Sequence, residues 1–190
     1  MTKNRLEIIL KNLFITIDNN VNGDIVEFGC YSGTTSLFIR RLLNIIDVND
    51  RQFHVYDSFE GLPPKTIKDA SVAGTEFKAG ELKASKRQLI KNFKKAGLKT
   101  PIIHKSWFDE LKEKDVPGSI AFAFLDGDFY YSILSSINHV WPKLNTNGRL
   151  VIDDFDKSNL PGVTRAINDF FIGTNQHIIR QDDLAIIIKN

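Results

Sequence analysis

Apolar residues recur at helical spacing from Leu6 to Ile17 and then give way to the turn-forming run Asn19-Asn20-Val21-Asn22-Gly23. That pattern predicts an opening helix within residues 1–22, ended where asparagine and glycine favour turn conformations. Asp24-Ile25-Val26-Glu27-Phe28 reads as a short strand, Gly29 to Gly33 as a glycine-bearing loop, and Thr34 to Ile46 as a helix. Gln52-Phe53-His54-Val55-Tyr56 is a second strand that stops at Asp57. Strand, loop, helix and strand in that order form a βαβ unit, whose crossover makes the two strands parallel.

Residues 58–85, with Gly61, Pro63, Pro64, Gly74 and Gly80, carry no clear period. An irregular stretch of that length inside a compact domain is expected to be a lid loop over a binding site. Leu82, Leu89, Ile90, Phe93 and Ala96 then return to helical spacing. A third strand is predicted at Pro101-Ile102-Ile103-His104 and a short helix from Trp107 to Lys112. The run Ile120-Ala121-Phe122-Ala123-Phe124-Leu125 is apolar at every position, as a strand buried on both faces of a parallel sheet must be, so it belongs at the centre. Tyr131 to Leu144 reads as a helix, Asn147-Gly148 as a turn, and Arg149-Leu150-Val151-Ile152 as a fifth strand ending at Asp153-Asp154. Pro161 suits the first turn of a helix reaching Phe171. His177-Ile178-Ile179-Arg180 and Leu184-Ala185-Ile186-Ile187-Ile188 are close enough for a hairpin. The expected fold is α/β: a doubly wound, mostly parallel seven-stranded sheet closed by an antiparallel C-terminal hairpin strand, in a single domain over residues 1–190.

Composition narrows the function. A chain of 190 residues with 42% hydrophobic and 25% charged residues has the makings of one real core and lacks the signature of disorder. Its net charge of +2 projects no field toward nucleic acid or an anionic membrane. The local run of Lys78, Lys83, Lys86, Arg87, Lys91, Lys94, Lys95 and Lys99 reads as the wet face of an amphipathic helix. A single cysteine, Cys30, excludes an internal disulfide framework. No apolar run approaches the ~18 residues a membrane span needs, so a cytoplasmic location is expected.

Two places carry candidate chemistry. The first is Glu27-Phe28-Gly29-Cys30-Tyr31-Ser32-Gly33-Thr34-Thr35 at the first strand-to-helix turn, where ligands of such sheets settle. The spacing is Gly-x-x-x-Gly, unlike the Gly-x-Gly-x-x-Gly of dinucleotide sites, and Asp24 or Glu27 precedes it. An acid there would repel a pyrophosphate and attract an ammonium group. Asp57, at the end of the second strand, stands where ribose hydroxyls are accepted. The second place is Asp126-Gly127-Asp128 after the fourth strand and Asp153-Asp154 after the fifth. Adjacent strands lie ~4.8 Å apart, so these ends gather four carboxylates, a set of hard oxygen ligands suited to Mg²⁺ or a similar divalent ion.

The blocks Glu27-Phe28-Gly29-Cys30-Tyr31-Ser32-Gly33, His54-Val55-Tyr56-Asp57-Ser58-Phe59-Glu60-Gly61-Leu62-Pro63, Ser106-Trp107-Phe108, Leu125-Asp126-Gly127-Asp128-Phe129-Tyr130 and Ile152-Asp153-Asp154-Phe155 resemble those of the macrocin O-methyltransferase family, in the same order and spacing. The resemblance covers about residues 22–172. It implies a Rossmann-like class I methyltransferase that uses S-adenosylmethionine and Mg²⁺ to methylate a hydroxyl of a sugar or other small molecule. By position it implies Asp126, Asp153 and Asp154 as metal ligands and Asp128 as general base. It places Glu27, Gly29, Tyr31, Ser32, Gly33, Thr34, Asp57, Ser58, Ser106, Trp107 and Asp126 around the cofactor. A homodimer and a small-molecule acceptor, with neither nucleic acid nor membrane as partner, are expected. The family's antibiotic enzymes carry longer segments before the glycine loop, and these help to shape the acceptor pocket; its sugar specificity therefore does not transfer to a chain with about one helix there.

Other readings of the same residues remain: a catechol-type phenol or an amine as acceptor, a cofactor-binding partner subunit without catalysis, or a nicotinamide dehydrogenase, against which the missing Gly-x-Gly-x-x-Gly counts. His54, His104, His139 and His177 are not spaced as a zinc site and read as structural or surface residues, His104 being the one nearest a strand end. Cys30 lacks a basic neighbour in sequence and reads as a packing residue.

Overall fold

The computed structural model describes residues 1–72 and 77–190; Gly74 and the rest of the expected lid at 73–76 lie outside the described residues. Five helices, α1 (Lys3–Asp18), α2 (Thr34–Ile45), α3 (Lys86–Lys95), α4 (Tyr130–Val140) and α5 (Pro161–Phe171), alternate with strands β1 (Asp24–Phe28), β2 (Phe53–Asp57), β3 (Ile102–Lys105), β4 (Ile120–Leu125) and β5 (Leu144–Ile152) before the hairpin β6 (Ile178–Gln181) and β7 (Leu184–Ile188). They form one seven-stranded sheet of order β3-β2-β1-β4-β5-β7-β6. Strands β1 to β5 pair in parallel, and β7 runs antiparallel between β5 and β6. All six residues of β4 are buried, as its unbroken apolar run required.

Period-two alternation along β4 divides the interior into two cores. Ala123 and Leu125 face one side with Phe28, Tyr56, Ile133, Ile137, Val163 and Ile167, packed under α4 and α5. Phe122 and Phe124 face the other with Ile9, Leu13, Ile39, Leu43, Leu89 and Phe93, under α1, α2 and α3. Helices on both faces leave the carboxyl ends of β1, β2, β4 and β5 open at one rim. Strand order reverses between β1 and β4, which is where open parallel sheets bind their ligands.

Local chemistry shifts several boundaries. The helix expected from Trp107 to Lys112 is instead two 3₁₀ turns, Phe108–Glu110 and Glu113–Asp115, the second capped at its start by the Lys112 amide, which donates to Asp115 at 2.9 Å. Helix α4 stops at Val140 rather than running to Leu144, because Pro142 cannot donate its backbone bond and the chain tightens into a 3₁₀ turn over Trp141–Lys143. Asn147-Gly148, expected as a turn before the fifth strand, is a bulge inside it. Pairing jumps from Ile120↔Leu144 to Phe122↔Arg149, and Asn147 takes a left-handed φ of 64°.

The expected lid is tied to the start of α4 through Asp69. Its 3₁₀ turn at Ile67–Asp69 buries the Asp69 carboxylate, which accepts from the Thr66 amide and hydroxyl and also from the Tyr130 amide at 2.7 Å. Asp69 thus supplies the N-terminal cap that Phe129 does not give α4. Gly162 makes the approach possible: a β-carbon there would lie 2.0 Å from an Asp69 oxygen.

Candidate active site

The glycine loop is held by Asp57. Its Oδ2 accepts from the Cys30 amide at 3.0 Å and the Tyr31 amide at 2.8 Å, while Oδ1 accepts from the Phe59 amide at 2.7 Å. A carboxylate offers about four acceptor positions, so this side chain organises both loops at the rim and still has acceptor capacity toward a ligand. Gly29 takes φ 85° and passes so close to β4 that a β-carbon would meet the Asp126 carbonyl oxygen at 2.0 Å. Only glycine lets the β1 loop close against the strand that carries Asp126.

Glu27 is buried to 1% exposure at the end of β1, and Ser36 of α2 donates to its Oε2. Burial, reinforced by the nearby Asp57 charge, pushes its carboxyl up to about 8 despite the Ser36 bond. In the ligand-free pocket it holds a proton at neutral pH, and a cation placed against it would drive that proton off.

Beyond the glycine loop, four carboxylates meet where β4 and β5 end. The Asp126 amide bonds Phe28 and the Asp153 amide bonds Leu125, so the sheet's own ladder places them. One carboxylate oxygen each from Asp126, Asp128 and Asp154 lies within 4.8 Å of the others. Asp128 and Asp154 hold left-handed backbones, φ 60° and 61°, which cost about 1–2 kcal/mol each and turn the carboxylates toward one point. Asp126 and Asp128 find no hydrogen-bond donor among the described residues. Burial and the neighbouring acids raise Asp126 well above the ordinary carboxylate range and Asp128 to about 7. Both still touch the cavity, so water reaches them although protein surrounds them on most sides.

Asp153 and Asp154 are placed differently. Arg5, from the first turns of α1, brings Nη1 to 2.6 Å from Asp153 Oδ1 and 2.9 Å from Asp154 Oδ1. Lys157 sets its ammonium 2.6 Å from the same Asp154 oxygen. Once a cation at this point drives the remaining protons off, four carboxylates faced by two cations leave two negative charges, the charge a single divalent ion neutralises. The donor set is all oxygen and hard, and together with that charge it fits such an ion.

These groups line one cavity of about 920 Å³, shared by Glu27, Gly29, Tyr31, Thr34, Asp57, Ser58, Trp107, Asp126, Asp128, Asp153 and Asp154. That is room for a nucleoside and a sugar-sized molecule together. Three expected cofactor residues lie outside the lining: Ser32, whose carbonyl takes a bond from Asn92, Gly33, which packs on Leu89, and Ser106, whose amide bonds the Asp57 carbonyl. Asp24, the alternative to Glu27, sits at the opposite end of β1, accepting from the Gln52 amide beside His54. His104 lies against Tyr56 and His54, its ring 4.4 Å from the tyrosine, and takes no part in the cavity. Cys30 is buried and its thiol is pushed far up by burial, in keeping with a packing role.

Sequence reading missed Arg5, Lys157, Phe77 and Tyr131 in the lining. A signal for Arg5 existed. It shares one face of α1 with Ile9, Asn12, Leu13 and Thr16, and an arginine on a buried stripe requires an acid opposite it.

A doubly wound sheet whose switch point opens onto a glycine loop, with an acid at the end of the second strand and an antiparallel strand inserted beside β5, is the Rossmann-like class I methyltransferase fold. Within that class the chain belongs to the macrocin O-methyltransferase family: the family model described as Macrocin-O-methyltransferase (TylF) matches residues 1–187. Over 158 residues, 80% of the chain, it is 30% identical to demethyldecarbamoylnovobiocin O-methyltransferase of Streptomyces niveus, and it covers 60% of that protein. Over 143 residues it is 31% identical to the 8-demethyl-8-(2,3-dimethoxy-alpha-L-rhamnosyl)-tetracenomycin-C 4'-O-methyltransferase of Streptomyces olivaceus, 72% of this chain against 54% of the relative. The chain therefore spans a little over half the length of these relatives. The solved structure of the O-methyltransferase NovP superposes with a TM-score of 0.85 at 25% identity, over 98% of this chain and 80% of that one.

Proposed function

We propose that the chain is an S-adenosylmethionine-dependent O-methyltransferase acting, with a bound divalent ion such as Mg²⁺, on a hydroxyl of a sugar or glycosylated small molecule. The observation that carries this reading is the convergence of Asp126, Asp128 and Asp154 within 4.8 Å on the cavity floor that Gly29 and Asp57 also line. Family membership and relatives whose names specify O-methyl transfer, one onto a rhamnosyl-bearing compound, support it.

In this reading the Glu27 carboxylate accepts the methionine ammonium, the loop amides and Asp57 hold the ribose, and the Trp107 ring borders the base. Asp126 and Asp154, each with an oxygen facing the cavity, would hold the ion; one or two carboxylates with waters and substrate oxygens complete a magnesium shell. Such an ion lowers the pKa of a coordinated hydroxyl and stabilises developing negative charge. Asp128 is placed to take the hydroxyl proton as the acceptor oxygen forms its bond to the methyl carbon and the carbon–sulfur bond breaks. Position supports this role: Asp128 faces the same point as Asp126 and Asp154 and has no hydrogen-bond donor among the described residues. Pocket walls matter too, because an anion attacking a cation consumes charge and gains from a water-poor site.

Calorimetry of S-adenosylmethionine and its demethylated product, with and without Mg²⁺, tests the reading, followed by a screen of glycosylated acceptors. Binding of both nucleosides is expected, with turnover on a sugar hydroxyl abolished by chelator and cut ~10²-fold or more by Asp128→Asn. Failure of either nucleoside to bind, or turnover indifferent to chelator and to Asp128→Asn, refutes it.

A further inference from the structure

Arg5 has no place in the chemistry above, yet it is the best-buried cation at the site. It is 8% exposed, it reaches from the N-terminal helix to residues 148 and 149 positions away, and it makes both contacts with a single nitrogen. Its Nε is buried with no hydrogen-bond partner among the described residues. Arginine–carboxylate pairs frequently take two parallel bonds from the guanidinium fork; this one bridges two acids through one nitrogen and leaves Nε unsatisfied among the described residues. Asp153 is engaged twice over, because the Oδ1 that accepts from Arg5 also accepts from the Asp154 amide at 2.9 Å. Of the four acids, Asp153 is the one outside the converging set.

We propose that Arg5 is an internal counter-cation that tunes the acidic floor for one divalent ion, by withdrawing Asp153 from the ligand set and cancelling part of the site's negative charge. This rests on the metal-dependent reading above and deepens it. With Arg5 in place the floor presents Asp126, Asp128 and one oxygen edge of Asp154; with it removed, Asp153 is freed and a further negative charge appears beside the ion. Metal affinity is thereby tied to the seating of α1, whose first turn carries Arg5. The helix is kept on the sheet by Ile9 and Leu13 in the core and by the bond from Arg149 to Asn12 at 2.8 Å, so replacing Arg5 leaves its main packing intact.

The test is Mn²⁺ binding to the full chain, read from loss of the free-ion electron paramagnetic resonance signal, with circular dichroism melts as a control on folding. Arg5→Met is expected to bind Mn²⁺ at least tenfold more tightly than the parent, and Arg5→Lys, which keeps the charge, within about threefold of it. Arg5→Met combined with Asp153→Asn restores the parent charge, so it is expected to return to parent affinity. Unchanged or weaker binding by Arg5→Met overturns the counter-cation role. A double variant some hundredfold weaker than the parent overturns the withdrawal of Asp153, because only loss of a ligand would do that. Absence of Mn²⁺ binding in the parent and every variant overturns the metal reading itself, and this inference with it.

Discussion

Glu27→Gln should make the ligand-free protein more stable and a worse binder of its methyl donor, and the size of the first effect should grow with pH. In the unfolded chain a glutamate loses its proton near pH 4.5, whereas the buried Glu27 keeps it to about 8. Between those values the folded state holds a proton that the unfolded state does not, so stability is full below about 4.5 and is lost as pH rises toward 8. Each tenfold in proton affinity is worth ~1.4 kcal/mol, and pH 7 lies two to three decades above the unfolded value, so the cost at neutrality is on the order of 3 kcal/mol. Glutamine carries no charge in either state, and its carbonyl still accepts from Ser36. In a domain of this size ~1 kcal/mol moves the melting temperature by about 2–4 °C, so Glu27→Gln should melt roughly 6–12 °C above the parent at pH 7 and close to it at pH 4.5. Melts of the pair across pH 4.5–8 measure this directly. A melting difference that stays flat with pH would refute the burial argument. In the same variant, S-adenosylmethionine should bind at least tenfold more weakly, and binding to the parent at pH 7 should release a proton, visible as a buffer-dependent heat.

Two further perturbations test the scaffold. Gly29→Ala must both hold alanine at φ 85° and push apart β1 and the Asp126 carbonyl; Gly97→Ala must only hold alanine at φ 66°, since no atom of the described residues lies within 4 Å of the added carbon. Gly97→Ala should cost about 1–2 kcal/mol and Gly29→Ala a further ~1–3 kcal/mol, with loss of nucleoside binding only in the latter; equal melting temperatures would disprove the close approach. Asp69→Ala removes the cap on α4 and its tie to the 58–85 segment, so it should cost about 1–2 kcal/mol by denaturant titration and speed amide exchange at Tyr130. Protection unchanged at that amide would show that Asp69 holds neither.

The parallel sheet, its central strand, the C-terminal hairpin and the two chemical corners were all legible in the linear chain, because each rests on local information. The all-apolar β4, the glycines after β1 and the acids after β2, β4 and β5 announce themselves through spacing, and a doubly wound sheet necessarily sends those strand ends to one rim. Boundaries at Pro142 and at the Asn147 bulge escaped for a reason of degree: a proline or a left-handed residue shifts an element by a turn only once its neighbours constrain it.

Tertiary structure alone decided which acids stay free and which are matched. Arg5 meets Asp153 across almost the whole chain, Asp69 caps a helix 61 positions on, and Asp57 spends its oxygens on two loops that only folding brings together. Periodicity records which face of an element is apolar; it carries nothing about which distant charge will be desolvated beside which other, and in a cavity of low polarisability that pairing sets the protonation and the shape of the site. The chain determines its layers by burial, and the folded layers determine its chemistry by charge.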